Sequence, residues 1–238
     1  MKKETIFKKY KWFALSVPYF DDNMLKPYAL FRGNIVFLAE QEKEFKDREP
    51  TVVTAENYEE VVNKIADMFI GYAKDRGGDN NDLIMGLLIG MTSPYRLQFL
   101  QFIKEDISAQ ELGKALAWVW TETEFPNSNG IEALLRLFKL ADRRSLMDDD
   151  EWEILEKLPE EVAVFRGTQS KKAKVRGMSW TLDRKKAEWF RDRFKKLDGK
   201  VYEASIKKEE ILAYFSGRNE SEVIVNPKKL KEVKEVSE

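Results

Sequence analysis

The chain has 238 residues, 43% of them hydrophobic and 12% aromatic, and a formal net charge of −1. It contains no cysteine and no histidine. Disulfides, thiolate catalysis, Ser–His–Asp hydrolysis, histidine acid–base chemistry and the usual zinc sites are therefore excluded, and any catalysis must use carboxylate, hydroxyl, Lys, Arg or Tyr.

The charge is unevenly spread. Residues 1–157 carry 21 Lys/Arg against 28 Asp/Glu, whereas residues 158–238 carry 20 against 14. An acidic part and a basic part imply different tasks or mutual attraction. The N-terminus is charged and lacks a signal-peptide core. The longest near-apolar stretch, Leu83–Met91, is far below the roughly 20 residues that a membrane helix needs. The expectation is a cytoplasmic, soluble protein with no membrane partner.

In chain order, residues 1–53 form an N-terminal segment with two apolar runs, Trp12–Val17 and Asn34–Ala39. Both are expected as short strands, because Pro18, Pro27 and Pro50 interrupt any long helix.

Residues 54–157 read as a region of five or six helices. Tyr58, Val61, Ile65, Met68, Phe69 and Tyr72 recur at helical spacing, and Gly77–Gly78 ends that helix. Asp82–Met91 is apolar nearly all round, which implies a buried helix. Pro94 suits the first turn of a helix over Ser93–Lys104. Ser108 and Glu111 form a capping-box pattern before Leu112, Leu116, Val119 and Trp120. Pro126–Gly130 is a loop, and helices are predicted over Ile131–Ala141 and Leu146–Leu158. Asp148–Asp150 are first-turn acids favoured by the helix dipole rather than metal ligands.

From residue 158 the pattern changes to strands. Val162–Phe165 and Met178–Thr181 are short strands. Asp183 caps a helix predicted to run through Leu197, with Ala187, Phe190, Phe194 and Leu197 on its apolar face. Asp198–Gly199 is a turn. Lys200–Ile206 alternates as a half-buried strand, and Ile211–Phe215 and Glu222–Val225 follow. The fold class is therefore α+β, a helical N-terminal region packed on a small sheet domain over residues 158–238.

Three segments of this last region carry chemistry. Val164–Phe165–Arg166–Gly167–Thr168 ends a strand on an arginine, which can grip phosphate oxygens bidentately beside a glycine that lets a ligand approach the backbone. Gly177–Met178–Ser179–Trp180–Thr181 puts two hydroxyls two residues apart, so that both face one side of a strand. Asn219–Glu220–Ser221–Glu222–Val223 opens another strand with two carboxylates at the same spacing. Phe31–Arg32–Gly33 repeats the first pattern locally, but no Ser-x-Thr follows it at short range, and Arg166 is favoured.

In that order the segments resemble the Arg–Ser–Glu class of mono-ADP-ribosyltransferases. The resemblance implies a split-sheet fold with the ADP-ribosyltransferase architecture and NAD as substrate, with no metal. It puts Glu222 beside the ribosyl cation, Glu220 at the acceptor, Ser179 in support of Glu222, and Arg166 on the NAD phosphates. Gly167, Thr181 and Phe190 would complete the NAD site, with Phe190 or its neighbour Trp189 stacking on nicotinamide. Glu rather than Gln at 220 implies arginine as acceptor, and Tyr214, before the loop, is the candidate to recognise that acceptor, with ordinary strand packing as its alternative. Only 12 residues separate Arg166 from Ser179. The elements that cover NAD in larger members are reduced here, and the preceding helices are expected to supply that wall. Members occur among bacterial toxins and phage-encoded modifiers, so a protein target in a host cell is implied. NAD hydrolysis, nucleic-acid modification and a non-catalytic binding role are the alternatives.

Residues 171–200 contain 12 Lys/Arg against 4 Asp/Glu. Such a stretch suits nucleic acid on charge grounds. Its aromatics are expected on the apolar helix face, which argues against a stacking platform.

Overall fold

The computed structural model describes residues 2–16, 56, 58–75, 80–91, 93–123, 129–170, 175–193 and 198–236. It divides into two compact units, Met1–Ala115 and Leu116–Glu238. The change from helices to strands falls after Lys157, as the sequence pattern predicts, but residues 116–157 belong to the same compact unit as the sheet. None of the helices among the described residues is long and apolar enough to cross a membrane.

The first unit is helical. It contains α1 (Lys3–Ser16), α2 (Tyr58–Asp75), α3 (Asn80–Ile89), α4 (Ser93–Ile103) and the start of α5 (Ala109–Thr121). The strand expected at Trp12–Val17 is corrected, since Trp12 lies within α1. The deciding pattern starts earlier: Ile6, Phe7, Tyr10 and Phe13 recur on one helical face and are buried. Tyr10 and Phe13 pack on Phe99 of α4, at centroid separations of 5.5 and 5.3 Å. The Asn34–Ala39 run lies outside the described residues. The Ser108–Glu111 capping box forms, with Ser108 N donating to the Glu111 carboxylate at 2.7 Å and Glu111 N donating to Ser108 Oγ at 3.2 Å.

The second unit carries the end of α5, then α6 (Ile131–Leu140), α7 (Asp149–Lys157) and α8 (Arg184–Asp192), with six strands. The helix expected over Leu146–Leu158 is shorter than predicted. Asp142 caps a single 3₁₀ turn, Arg143–Leu146, and Met147 is extended before Asp148 caps α7. The two aspartates compete for the chain, because each caps its own helix start. Asp148 and Glu151 close a capping box.

The strands are β1 (Glu161–Thr168), β2 (Ser179–Thr181), β3 (Lys200–Lys207), β4 (Ile211–Phe215), β5 (Glu222–Val225) and β6 (Lys231–Glu235). They form one antiparallel sheet in the order β4-β5-β2-β1-β3-β6. All four residues of β5 are buried, so both faces of that strand are covered. The edge strand β6 is Lys–Glu–Val–Lys–Glu, a charge pattern that discourages further pairing. The sheet has a narrow waist. β1 meets β2 at one register pair, Phe165–Thr181, whereas β1 and β3 pair along all eight residues of each strand.

Candidate functional site

The waist is where the chemistry-bearing residues gather. Arg166, Ser179 and Glu222 stand on β1, β2 and β5, three consecutive strands of the sheet. Thr181 is the register partner of both Phe165 and Glu222, so these three residues form one row across the sheet. Ser179 pairs with Ile224 and lies on the same face of β2 as Thr181. Strand pairing thus brings residues far apart in sequence onto neighbouring strands, with Arg166, next after Phe165, on the opposite face of β1 from this row.

Glu222 begins β5 and is only 7% exposed. A buried carboxylate is costly unless paired and hydrogen-bonded. Trp120, at the end of α5, donates its indole N–H to both Glu222 oxygens, each 3.3 Å away. The nearby guanidinium of Arg166 supplies opposite charge, and Glu222 in turn favours the arginine's charged form. Trp120 is 1% exposed and stacks edge-on with Phe138 at 5.1 Å, which fixes the direction of its N–H. Sequence periodicity marked Trp120 only as a core residue. Its signal was chemical: a buried indole N–H needs an acceptor.

Arg166 donates from Nη1 to the Ser179 carbonyl. Its head lies against Gly177, where an added Cβ would come within 2.7 Å of Cζ. Burial pushes its pKa down, opposed by Glu222, and an arginine nonetheless stays charged. Nε is buried without a hydrogen-bond partner among the described residues. An enclosed guanidinium with spare donor capacity is suited to an anionic ligand. Ser179 is half-buried, and its backbone carbonyl takes the bond from Arg166. The hydrogen bonds that hold the Glu222 carboxylate come from Trp120.

Thr181 is 4% exposed, and its hydroxyl both donates and accepts. It donates to the Glu220 carbonyl at 2.7 Å and accepts from Asp183 N at 3.1 Å. It therefore ties the segment before β5 to the start of α8 rather than facing a ligand. Glu220 itself lies outside β5. Its backbone is helical (φ −100°, ψ −13°), and Ser221 is left-handed with φ 45°. The shared-face spacing of an extended strand therefore does not run from Glu220 to Glu222, which corrects the expected Glu-x-Glu strand opening. Asn219 is also left-handed, at φ 54°. Left-handed backbone at non-glycine residues clusters at functional sites, where surrounding contacts hold it. Here Ser221 O accepts from Leu182 N at 3.0 Å.

Glu151, on α7, holds the other end of that loop. It accepts from Ser216 N at 2.7 Å and Ser216 Oγ at 3.1 Å through one oxygen, and from Asp148 N through the other. Sequence periodicity does not single out Glu151, because it starts the helix at Leu146 and not at the Asp148 cap. Asp148 accepts from Glu151 N, and Asp149 pairs with Arg144, so this acidic run serves the helix start.

Two expected site roles are corrected. Tyr214 is 5% exposed within β4 and cannot offer an exposed ring to an acceptor. Its backbone N–H donates to Met147 S at 3.3 Å. Gly167 is small for another reason than ligand approach, because a Cβ there would sit 2.0 Å from the Ala187 carbonyl of α8. Asp183 caps α8 as predicted, but Ala187 is that helix's buried residue, while Phe190 is half-buried and Trp189 is 50% exposed. Phe194, Leu197 and the rival Arg32 lie outside the described residues. Comparison with protein-family models, with curated proteins and with solved structures found no match.

Proposed function

We propose that the protein is a mono-ADP-ribosyltransferase that uses NAD as substrate and modifies arginine on a protein target. The carrying observation is the convergence of Arg166, Ser179 and Glu222 on three adjacent strands, with Glu222 buried and held by Trp120. The waist between β2 and β1 supports the finer reading of the fold, an ADP-ribosyltransferase-like split sheet.

The buried guanidinium of Arg166, with an unpartnered Nε, suits a phosphate of NAD. The Ser179 hydroxyl is available to the same ligand. Bond cleavage between nicotinamide and ribose leaves a cation-like ribose. A fixed carboxylate in an enclosed site stabilises that charge without reorganising. Glu222 has this character: its orientation is set before substrate arrives. Nicotinamide leaves with the electron pair of the broken bond, and the acceptor nitrogen bonds to the ribose carbon and passes its proton to solvent. Glu220, half-buried in the loop before β5, is the group proposed to receive the arginine.

The test incubates the full-length protein with NAD labelled in the adenylate and a cell lysate. Label on protein is expected, and Glu222→Gln is expected to lower it about 100-fold or more. Label on nucleic acid, or release of free ADP-ribose alone, would move the reading to the alternative reactions. An active Glu222→Gln variant would end the assignment.

A further inference from the structure

Helix α8 presents an aromatic ring framed by cations. Trp189 is 50% exposed. Lys186 Nζ lies 5.4 Å from its ring centroid and Arg193 Cζ lies 5.6 Å from it. Phe190 meets the indole in a T-shaped contact at 5.1 Å. Arg184 and Lys185 are exposed on the first turn. The acids nearby are engaged: Glu188 accepts from Arg184 at 3.0 Å, Asp192 accepts from Arg191 at 2.7 Å, and Asp183 caps the helix.

Periodicity places the aromatics of the basic stretch on the apolar helix face, which argues against a platform for single strands. Trp189 instead faces solvent between Lys186 and Arg193, one helical turn to either side. Aromatic rings interleaved with basic side chains form the platform used for single strands, because every base has a face to stack and every nucleotide a phosphate to neutralise.

We propose that α8 is a docking surface for single-stranded nucleic acid. A base stacks on Trp189, while Lys185, Lys186 and Arg193 neutralise adjoining phosphates. A cation over an exposed ring is held less strongly than a stacked base, so Lys186 yields the ring and turns to phosphate. A duplex keeps its bases stacked internally and would leave the indole idle. An acidic protein would satisfy the cations and also leave the ring uncovered. Over α8 and its C-cap, residues 184–193, five Lys/Arg stand against two Asp/Glu, which favours a polyanion. The proposal does not rest on NAD chemistry.

The test measures fluorescence anisotropy of a labelled oligo(dT) of about 20 nucleotides with the full-length protein, without NAD. Binding is expected, with an affinity that falls steeply between about 50 and 200 mM salt. Trp189→Ala is expected to weaken it about 5-fold or more, with Trp189→Phe in between. Lys185→Glu combined with Lys186→Glu should weaken it and flatten the salt dependence. Trp189 is exposed, so its variants should melt with the wild type. No binding at the lower salt, unchanged binding by Trp189→Ala, or equal competition by polyglutamate and unlabelled oligonucleotide would each overturn the proposal.

Discussion

The indole N–H of Trp120 is shared between the two carboxylate oxygens of Glu222, 102 residues further along the chain. It ties the end of α5 to the first residue of a central strand. Hydrogen bonds to charged groups contribute about 1.5–3 kcal/mol. Trp120→Phe keeps an aromatic ring against Phe138 and removes the donor. Under the proposed function NAD turnover should fall about 10-fold or more, and stability should fall by about 1–3 kcal/mol in any case. A double-mutant cycle with Glu222→Gln, read by urea unfolding, separates the pair from the lost ring volume. A coupling energy near zero would remove Trp120 from the site.

Glu151 tethers the loop that precedes β5. Glu151→Ala deletes the acceptor for Ser216 N and Oγ and opens the capping box of α7. The expected cost is about 1–3 kcal/mol. Amide exchange at Ser216 should accelerate more than exchange in β1. Unchanged protection at Ser216 would mean that the loop is held elsewhere.

Gly167 lets α8 lie close on β1. In Gly167→Ala the new Cβ would stand 2.0 Å from the Ala187 carbonyl and 2.7 Å from Arg191 N, both backbone atoms. Helix and strand must separate, so a loss of about 1–3 kcal/mol or more is expected in thermal melts. Gly217→Ala is the control, since a Cβ there meets nothing within 4 Å. Equal melting of the two variants would contradict the packing argument.

Glu220→Gln should separate transfer from hydrolysis under the proposed function. Glu222 acts at the ribose, so cleavage of NAD to free ADP-ribose should survive. A guanidinium acceptor needs a charged acceptor group, and an amide offers donors in its place. Both products are assayed side by side with an arginine-rich acceptor. Equal loss of both would assign Glu220 to the NAD site.

Residues 162–238 should not fold alone, whereas residues 116–238 should melt cooperatively. The strands share one compact unit with the end of α5, α6 and α7, whose Trp120, Leu137 and Leu155 are buried. A small sheet without disulfides or metal buries too little apolar surface on its own. Calorimetry of the two fragments tests this, and a cooperative melt of the shorter one would refute it.

What local chemistry dictates was legible in the sequence. The Ser108–Glu111 capping box, the Asp183 cap, the strands Ile211–Phe215 and Glu222–Val225, and the α+β class all depend on neighbours within a few residues. The α1 helix was misread because a short apolar run at Trp12 outweighed the spacing that begins at Ile6.

Only the tertiary structure decided what those residues touch. Pairing of β5 with β2, and of β2 with β1, made Thr181 rather than Ser179 the direct neighbour of Glu222. Packing of α5 supplied Trp120 as its donor, and close approach of α8 explained Gly167. The left-handed turn at Ser221 took Glu220 off the strand, and covering of both faces of β5 and β4 buried Tyr214. Side-chain periodicity sets which residues share a face of an element, but the element that covers that face is chosen by packing between segments distant in the chain.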